Sequence, residues 1–267
     1  MSSPVDHESP TDSDDWDHHW NSYGEAADTN PANVYRRNLI LRLLGELPAG
    51  SALLDIGSGQ GAFVAAFKTD HPHVDVWGVE NSAEGVSRAR ATAQASGLDV
   101  HFIQRDLLET VEREPDQPPA GFAVCSEVLE HVGEPSALMR NAVSLLSPGA
   151  RVVVTVPGGP RSAFDRHIGH RRHFDAASLR QTLIDAGLEV DRVLRAGFPG
   201  FNVYKLAVIL RGKRLIQDVE STEPGASPSR SATLIARVFS TLFTLNREDA
   251  PFGWQLAAVA HVPLVEA

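Results

Sequence analysis

The chain has 267 residues, of which 42% are hydrophobic and 22% charged, a balance that fits one large α/β domain with appendages. Its formal net charge of −10 offers no basic field to phosphate-rich partners, which argues against DNA or RNA. A single cysteine, Cys125, excludes an internal disulfide framework and a multi-cysteine zinc site, and no apolar run reaches the ~18 residues of a bilayer span.

Residues 1–29 read as an N-terminal arm. Met1 to about Asp15 is polar, acidic and rich in Ser and Pro, so disorder is expected. Trp16, His18, His19, Trp20 and Tyr23 follow, and they either cover an edge of the core or form a flap over a bound ligand. Asn30-Pro31 then opens a helix of roughly 32–47, with Leu39, Leu41, Leu43 and Leu44 on its apolar side and Pro48 and Gly50 ending it. Arg36 and Arg37 sit in its first turns, where arginine is either solvated or able to hold a ligand carboxylate in a bidentate way.

The next stretch is the most informative. Ala52 to Leu54 reads as a buried strand, Asp55 closes it, and Gly57, Gly59 and Gly61 alternate before a helical pattern through Phe67. A glycine turn lets a ligand approach the backbone, and the helix behind it offers free N–H groups and a positive dipole end. Gly57-x-Gly59-x-x-Ala62 fits a dinucleotide fingerprint as well as a site for S-adenosylmethionine (SAM). Asp55 favours the second, because its carboxylate would crowd a pyrophosphate but suits the cationic amino-acid end of SAM. Asp55, Gly57, Gly59 and Gly61 resemble, position for position, the first motif of the class I SAM-dependent methyltransferases.

That resemblance organises the rest of the chain. Val74 to Glu80 reads as the second strand, and Glu80 at its carboxyl end is placed to accept hydrogen bonds from a ribose diol. Asn81 and Ser82 start a helix through Ala95. The third strand, Val100 to Gln104, is followed by Asp106 and Leu107, which match the family's adenine-binding acid and the residue that faces the ring. Glu109 to Ala120 is a surface loop, and Phe122 to Cys125 the fourth strand.

Ser126-Glu127-Val128-Leu129-Glu130-His131-Val132 resembles a segment of the type-11, ubiquinone-biosynthesis O-methyltransferase group. The resemblance implies SAM contacts at Ser58, Asn81 and Ser126, and at Arg36, in addition to Asp55, the three glycines, Glu80, Asp106 and Leu107. In a helix, Glu127, Glu130 and His131 would share one face. Either they form a helix-start cluster with His131 directed at the acceptor, or they ligate a divalent metal, which is chemically sufficient but not expected.

A helix from Pro135 to Leu146 and a fifth strand from Arg151 to Val156 follow. The segment Asp165 to Phe174 carries His167, His170 and His173 among three arginines and resembles an element after the fifth strand of type-11 methyltransferases. It is read as an acceptor-facing segment with His170 or His167 as base, or as a basic loop that braces the domain; zinc would lack a fourth ligand beside repelling arginines. Asp175 caps a helix to Ala186, and Leu188 to Arg195 is the sixth strand.

The expected architecture is a Rossmann-like seven-stranded sheet of order 3-2-1-4-5-7-6, last strand antiparallel, with helices on both faces and a helical insertion. Residues 30–196 form the SAM-binding core, 197–250 an insertion that covers the acceptor, with a flexible loop at 218–230 and an amphipathic helix over 232–246, and 251–267 the final core strand. The function expected is methyl transfer from SAM to a small, largely apolar acceptor, most often at oxygen. N- or C-methylation, a SAM-binding protein without methyl transfer, and an NAD(P)-dependent oxidoreductase remain as alternatives. The expected setting is cytoplasmic, with no nucleic acid, no stable membrane insertion and a homodimer as an open option.

Overall fold

A computed structural model describes residues 30–109, 111–220 and 230–264. The expectations for Met1 to Asp15, for the Trp16–Tyr23 aromatics and for 221–229 fall outside these residues. In chain order the elements are α1 (Pro31–Leu44), β1 (Ala52–Ile56), α2 (Ala62–Asp70), β2 (Asp75–Glu80), α3 (Ala83–Ala95), β3 (His101–Gln104), β4 (Ala120–Ser126), α4 (Pro135–Val143), β5 (Leu146–Pro157), α5 (Ala163–His167), α6 (Ala176–Asp185), β6 (Glu189–Ala196), α7 (Gly200–Glu220), α8 (Arg230–Phe243) and β7 (Gln255–His261).

The strands form one sheet in the order β3-β2-β1-β4-β5-β7-β6, as the sequence predicts. β7 runs antiparallel between β5 and β6, and the other neighbouring pairs are parallel. The order reverses between β1 and β4. In such a sheet the crevice outside the carboxyl ends at the reversal is where ligands bind.

Both faces of the sheet are buried, and alternate side chains feed two cores. Leu54, Ile56, Ala123, Cys125, Val152, Val154 and Val156 join α4 and α6 residues in one. Leu53, Val124 and Val153 join α1, α2 and α3 residues in the other. Each fully buried Val or Leu contributes about 1.5–3 kcal/mol of transfer free energy. These unbroken apolar strands therefore hold the carboxyl edge rigidly.

Three local readings change. β5 starts at Leu146, so Ser147-Pro148-Gly149 lies inside the strand; a register shift opposite Ala120 and Phe122 accommodates it. Asp218 to Glu220 belongs to α7 rather than to a loop. Glu127 to His131 is not helical: Glu127 has φ 56°, and two i→i+3 turns follow, from His131 N–H to Val128 O and from Val132 N–H to Leu129 O. With Glu127 left-handed and only turns after it, the three side chains do not share a helical face.

The insertion is anchored by aromatic packing. Tyr35 of α1 packs against Phe201 of α7 and Phe243 of α8, and Tyr204 meets Phe239 and Phe243 edge-on. Such pairs add about 0.5–1.5 kcal/mol each beyond their burial. They fix the start of α7 beside the carboxyl edge of the sheet. Among the described residues, no helix is long and apolar enough to cross a membrane.

Candidate functional site

The glycine loop is built for a tight turn. Gly57, Gly59 and Gly61 have φ of 72°, 55° and 77°, a region that side chains other than glycine rarely enter. The N–H groups of Gly57 and Ser58 both donate to Val79 O, at 2.8 and 3.0 Å, so the turn is tied to β2. A Cβ on Gly57 would lie 2.5 Å from Val128, and one on Gly61 would lie 2.7 Å from the Phe102 ring.

Glu80 closes the loop from the neighbouring strand. Its carboxylate accepts the Gly59 N–H and the Ser82 N–H, both at 2.9 Å. Asp55 is 4% exposed. Burial and then the Glu80 charge push its carboxyl up to about 7. A buried acid in that position gains greatly from a cationic ligand. Asp106 is half-buried, with Oδ1 accepting the Leu108 N–H at 2.8 Å, and Leu107 beside it is buried. Asn81 is exposed, Ser58 is buried, and Ser126 pairs its hydroxyl with Thr155 at 2.9 Å.

Arg36 reaches the same edge from α1. Its guanidinium is held by the Asn33 side chain and lies 3.4 Å from the Glu127 carboxylate. Glu127 in turn accepts the side-chain amide N–H of Gln255 at 2.9 Å.

A buried histidine cluster lies beside this. The N–H groups of Arg171 and Arg172 donate to Glu130 O, which pins the segment after β5 against the turn after β4. The His131 and His170 rings meet edge-on at 4.6 Å. The Gly159 carbonyl can only accept, so His173 donates to it through Nδ1–H at 3.0 Å. His173 Nε2 is then an acceptor for His170 Nδ1–H at 3.2 Å. This order leaves the lone pair of His170 on Nε2, 4.0 Å from Glu130. Burial and then the neighbouring His131 hold His170 down to about 2, so it stays neutral.

Glu130 is fully buried, and neither oxygen has a hydrogen-bond partner among the described residues. Burial and the Glu127 charge push it well above the carboxylate range. Ligand atoms of Glu130, His131 and His170 lie within 4.8 Å of one another, as do those of Asp165, His170 and His173. The first group fits a divalent cation, with one orphaned carboxyl and two imidazoles. In the second, Asp165 Oδ1 is already taken by the Lys205 ammonium at 2.6 Å. Of the grouping considered from sequence, Glu127 with Glu130 and His131, Glu127 turns to Arg36, while His170 lies beside the other two.

A profile of a methyltransferase-domain family matches residues 30–193, which is more than half of the chain. The chain belongs to this methyltransferase-domain family. Its domain is of the class I, SAM-dependent kind. It is 30% identical over 151 residues to a ubiquinone biosynthesis O-methyltransferase of Aeromonas salmonicida, covering 56% of this chain and 61% of that protein. It is 33% identical over 135 residues to the protein of the same name from Serratia proteamaculans, covering 50% and 53%. The match thus spans between half and two thirds of those curated relatives. Among solved structures, a geranyl diphosphate methyltransferase in complex with GPP and sinefungin superposes with a TM-score of 0.55 at 16% identity, covering 86% of this chain and 77% of that one. This likeness concerns the fold.

Within this domain, Arg36, Asp55, Gly57, Ser58, Gly59, Gly61, Glu80, Asp106, Leu107 and Ser126 all lie at or beside the carboxyl edge of β1 to β4 or in the loops that follow it. His131 and His170 come together, whereas His167 ends α5 and is exposed. Gln255, Lys205 and Asp165 carry buried polar contacts that sequence reasoning missed. No local pattern marks them, because their partners are 128 and 40 residues away.

Proposed function

We propose that the protein transfers the methyl group of SAM to a small, largely apolar acceptor, most often at a hydroxyl oxygen. The observation that carries this is the buried Asp55 just before the glycine loop, with Glu80 accepting that loop's Gly59 N–H, in a chain of the methyltransferase-domain family. In this reading Glu80 holds the ribose diol, Asp106 and Leu107 the adenine, Arg36 the methionine carboxylate, and Asp55 the ammonium. Asn81, Ser58 and Ser126 line the same path. The acceptor oxygen attacks the methyl carbon in line, the C–S bond breaks with its electron pair staying on sulfur, and S-adenosylhomocysteine leaves. Much of the rate comes from positioning, since the sulfonium is already activated.

The acceptor proton passes to a base. The candidates are His131 and His170, whose rings meet edge-on beside Glu130, with the exposed His167 set apart from them. Residues 197–250 act as the acceptor cover, because α7 and α8 are seated on α1 beside the cofactor edge. O-methylation is favoured by the names of the relatives in Aeromonas and Serratia. A second reading rests on Glu130: a divalent cation on Glu130, His131 and His170 would polarise the acceptor oxygen in place of a histidine base.

The test is calorimetry with SAM and S-adenosylhomocysteine on wild type and Glu80→Ala, followed by a phenol and catechol acceptor panel with His131→Ala. Binding lost in Glu80→Ala, and turnover lost in His131→Ala with cofactor affinity kept, support the reading. Wild type that binds neither ligand overturns it.

A further inference from the structure

We propose that Glu127, locked by Gln255, completes with Arg36 a charge-paired cradle that reads the zwitterionic amino-acid end of the cofactor. This rests on the SAM reading above and extends it to two residues that the glycine-loop motif does not include.

Glu127 is the one non-glycine among the described residues with a positive φ, at 56°. That conformation costs roughly 1–2 kcal/mol, and such strain persists where surrounding contacts over-determine it. The contacts are present. The Glu127 N–H donates to Thr155 O at 2.9 Å, which fixes the backbone at the end of β4. Its Oε1 accepts from Gln255 Nε2 at 2.9 Å, and its Oε2 lies 3.4 Å from Arg36 Nη1.

Gln255 has no exposed surface. It stands at the first position of β7, opposite Pro157 on one side and Ala196 on the other, at the carboxyl edge of β5. Its amide also donates to Val156 O at 3.0 Å, so the group that grips Glu127 is itself fixed to the sheet. The amide N–H donors are spent on one carboxylate and one carbonyl, while Gln255 Oε1 is buried with no hydrogen-bond partner among the described residues.

Arg36 and Glu127 keep 17% and 21% of their side chains exposed, so both still face open space. Their separation of 3.4 Å is longer than a bidentate fork. The guanidinium has five donors, and the Asn33 and Glu127 contacts leave several free. An α-amino acid presents a carboxylate and an ammonium a few ångströms apart. A fixed cation and anion side by side are its electrostatic complement: Arg36 takes the carboxylate, and Glu127 shares the ammonium with Asp55. The sulfonium adds a further positive charge, which the Glu127 carboxylate also offsets. Gln255 is thus a positioning residue, and Glu127 a binding one.

The test separates the amino-acid end from the nucleoside end. Wild type, Glu127→Gln and Gln255→Leu are titrated calorimetrically with SAM and with 5′-methylthioadenosine, which keeps the nucleoside and lacks the amino-acid group. Both variants should lose about tenfold or more in SAM affinity and stay within about twofold for methylthioadenosine. The double variant should be no weaker for SAM than Glu127→Gln alone. The isosteric Glu127→Gln keeps the test open if Gln255→Leu does not fold. Equal losses for both ligands, or no loss for either, overturn the proposal. Methylthioadenosine binding with no preference for SAM in wild type overturns it as well, while leaving the nucleoside site in place. Wild type that binds neither ligand overturns the cofactor reading and this proposal with it.

Discussion

The Asp55 carboxyl at the end of β1 is held near a pKa of 7 by its burial and by the Glu80 charge at the end of β2. Two acids at one edge of a sheet destabilise the empty protein. The folded pKa lies above the ordinary value of 3.8, so folding favours the protonated form. The fold has this support in full below about pH 4, loses it as pH rises towards 7, and bears the whole penalty above that. Asp55→Asn should therefore stabilise the ligand-free protein at pH 8, by at most about 4 kcal/mol, and change little at pH 4. Urea melts at the two pH values check this, and equal effects at both would contradict it.

The same pair makes cofactor binding proton-linked. A cationic ligand favours ionised Asp55, so at pH 6.5 binding should release about three quarters of a proton. Calorimetry in buffers of different ionisation enthalpy measures the release directly, and Asp55→Asn should abolish it. Affinity in wild type should rise with pH up to about 7 and then level off.

Lys205 ties the insertion to the core through Asp165, which is 1% exposed. Burial raises Asp165, but the Lys205 ammonium and the Ser162 cap outweigh it and hold it at about 2. Its stabilisation is present above the ordinary pKa of 3.8 and is lost as pH falls through 2. Lys205→Met leaves that carboxylate buried without its cation, with an expected loss of about 3 kcal/mol at pH 7. The loss should shrink towards pH 3, and Asp165→Asn in the same chain should recover part of it. Denaturant melts across pH give both numbers.

The sheet order was legible because the central strands are apolar runs, with Asp55 and Glu80 at the carboxyl ends of β1 and β2 at the spacing of the resembled fold. The glycine loop was legible for the same reason: its partners lie within about 25 residues, in β2. The Glu127–His131 turn was not. Its i, i+3, i+4 spacing reads as helical, and only the Thr155 and Gln255 contacts hold Glu127 in the left-handed region. The histidines divided along similar lines. His167 and His170 look alike in sequence, but α5 is a short helix stopped at His167, which leaves that ring outside while Asp165 and Glu130 draw His170 in.

Glu130 provides a test of the cation reading. A metal that binds the folded chain alone raises its stability, by about 2.7 kcal/mol at a hundredfold excess over Kd. With zinc, manganese or magnesium added, the melting temperature should rise by several degrees, and Glu130→Gln should remove the rise. No shift with any of the three would leave Glu130 as a buried, protonated acid.

Gly57 offers the sharpest steric prediction. Alanine there meets two separate obstacles, a φ of 72° and a Cβ position 2.5 Å from Val128 Cγ2. Gly57→Ala should cost about 2 kcal/mol or more and weaken SAM binding, because the turn must move off β2. Val128→Ala alone should cost less, since that side chain is only partly buried. In the double variant the contact is relieved but the backbone strain is not, so only part of the loss should return. A double-mutant cycle by denaturant melts separates the two terms. Full recovery would mean that packing against the turn after β4, rather than the left-handed backbone, demands glycine at this position. No recovery would mean the reverse.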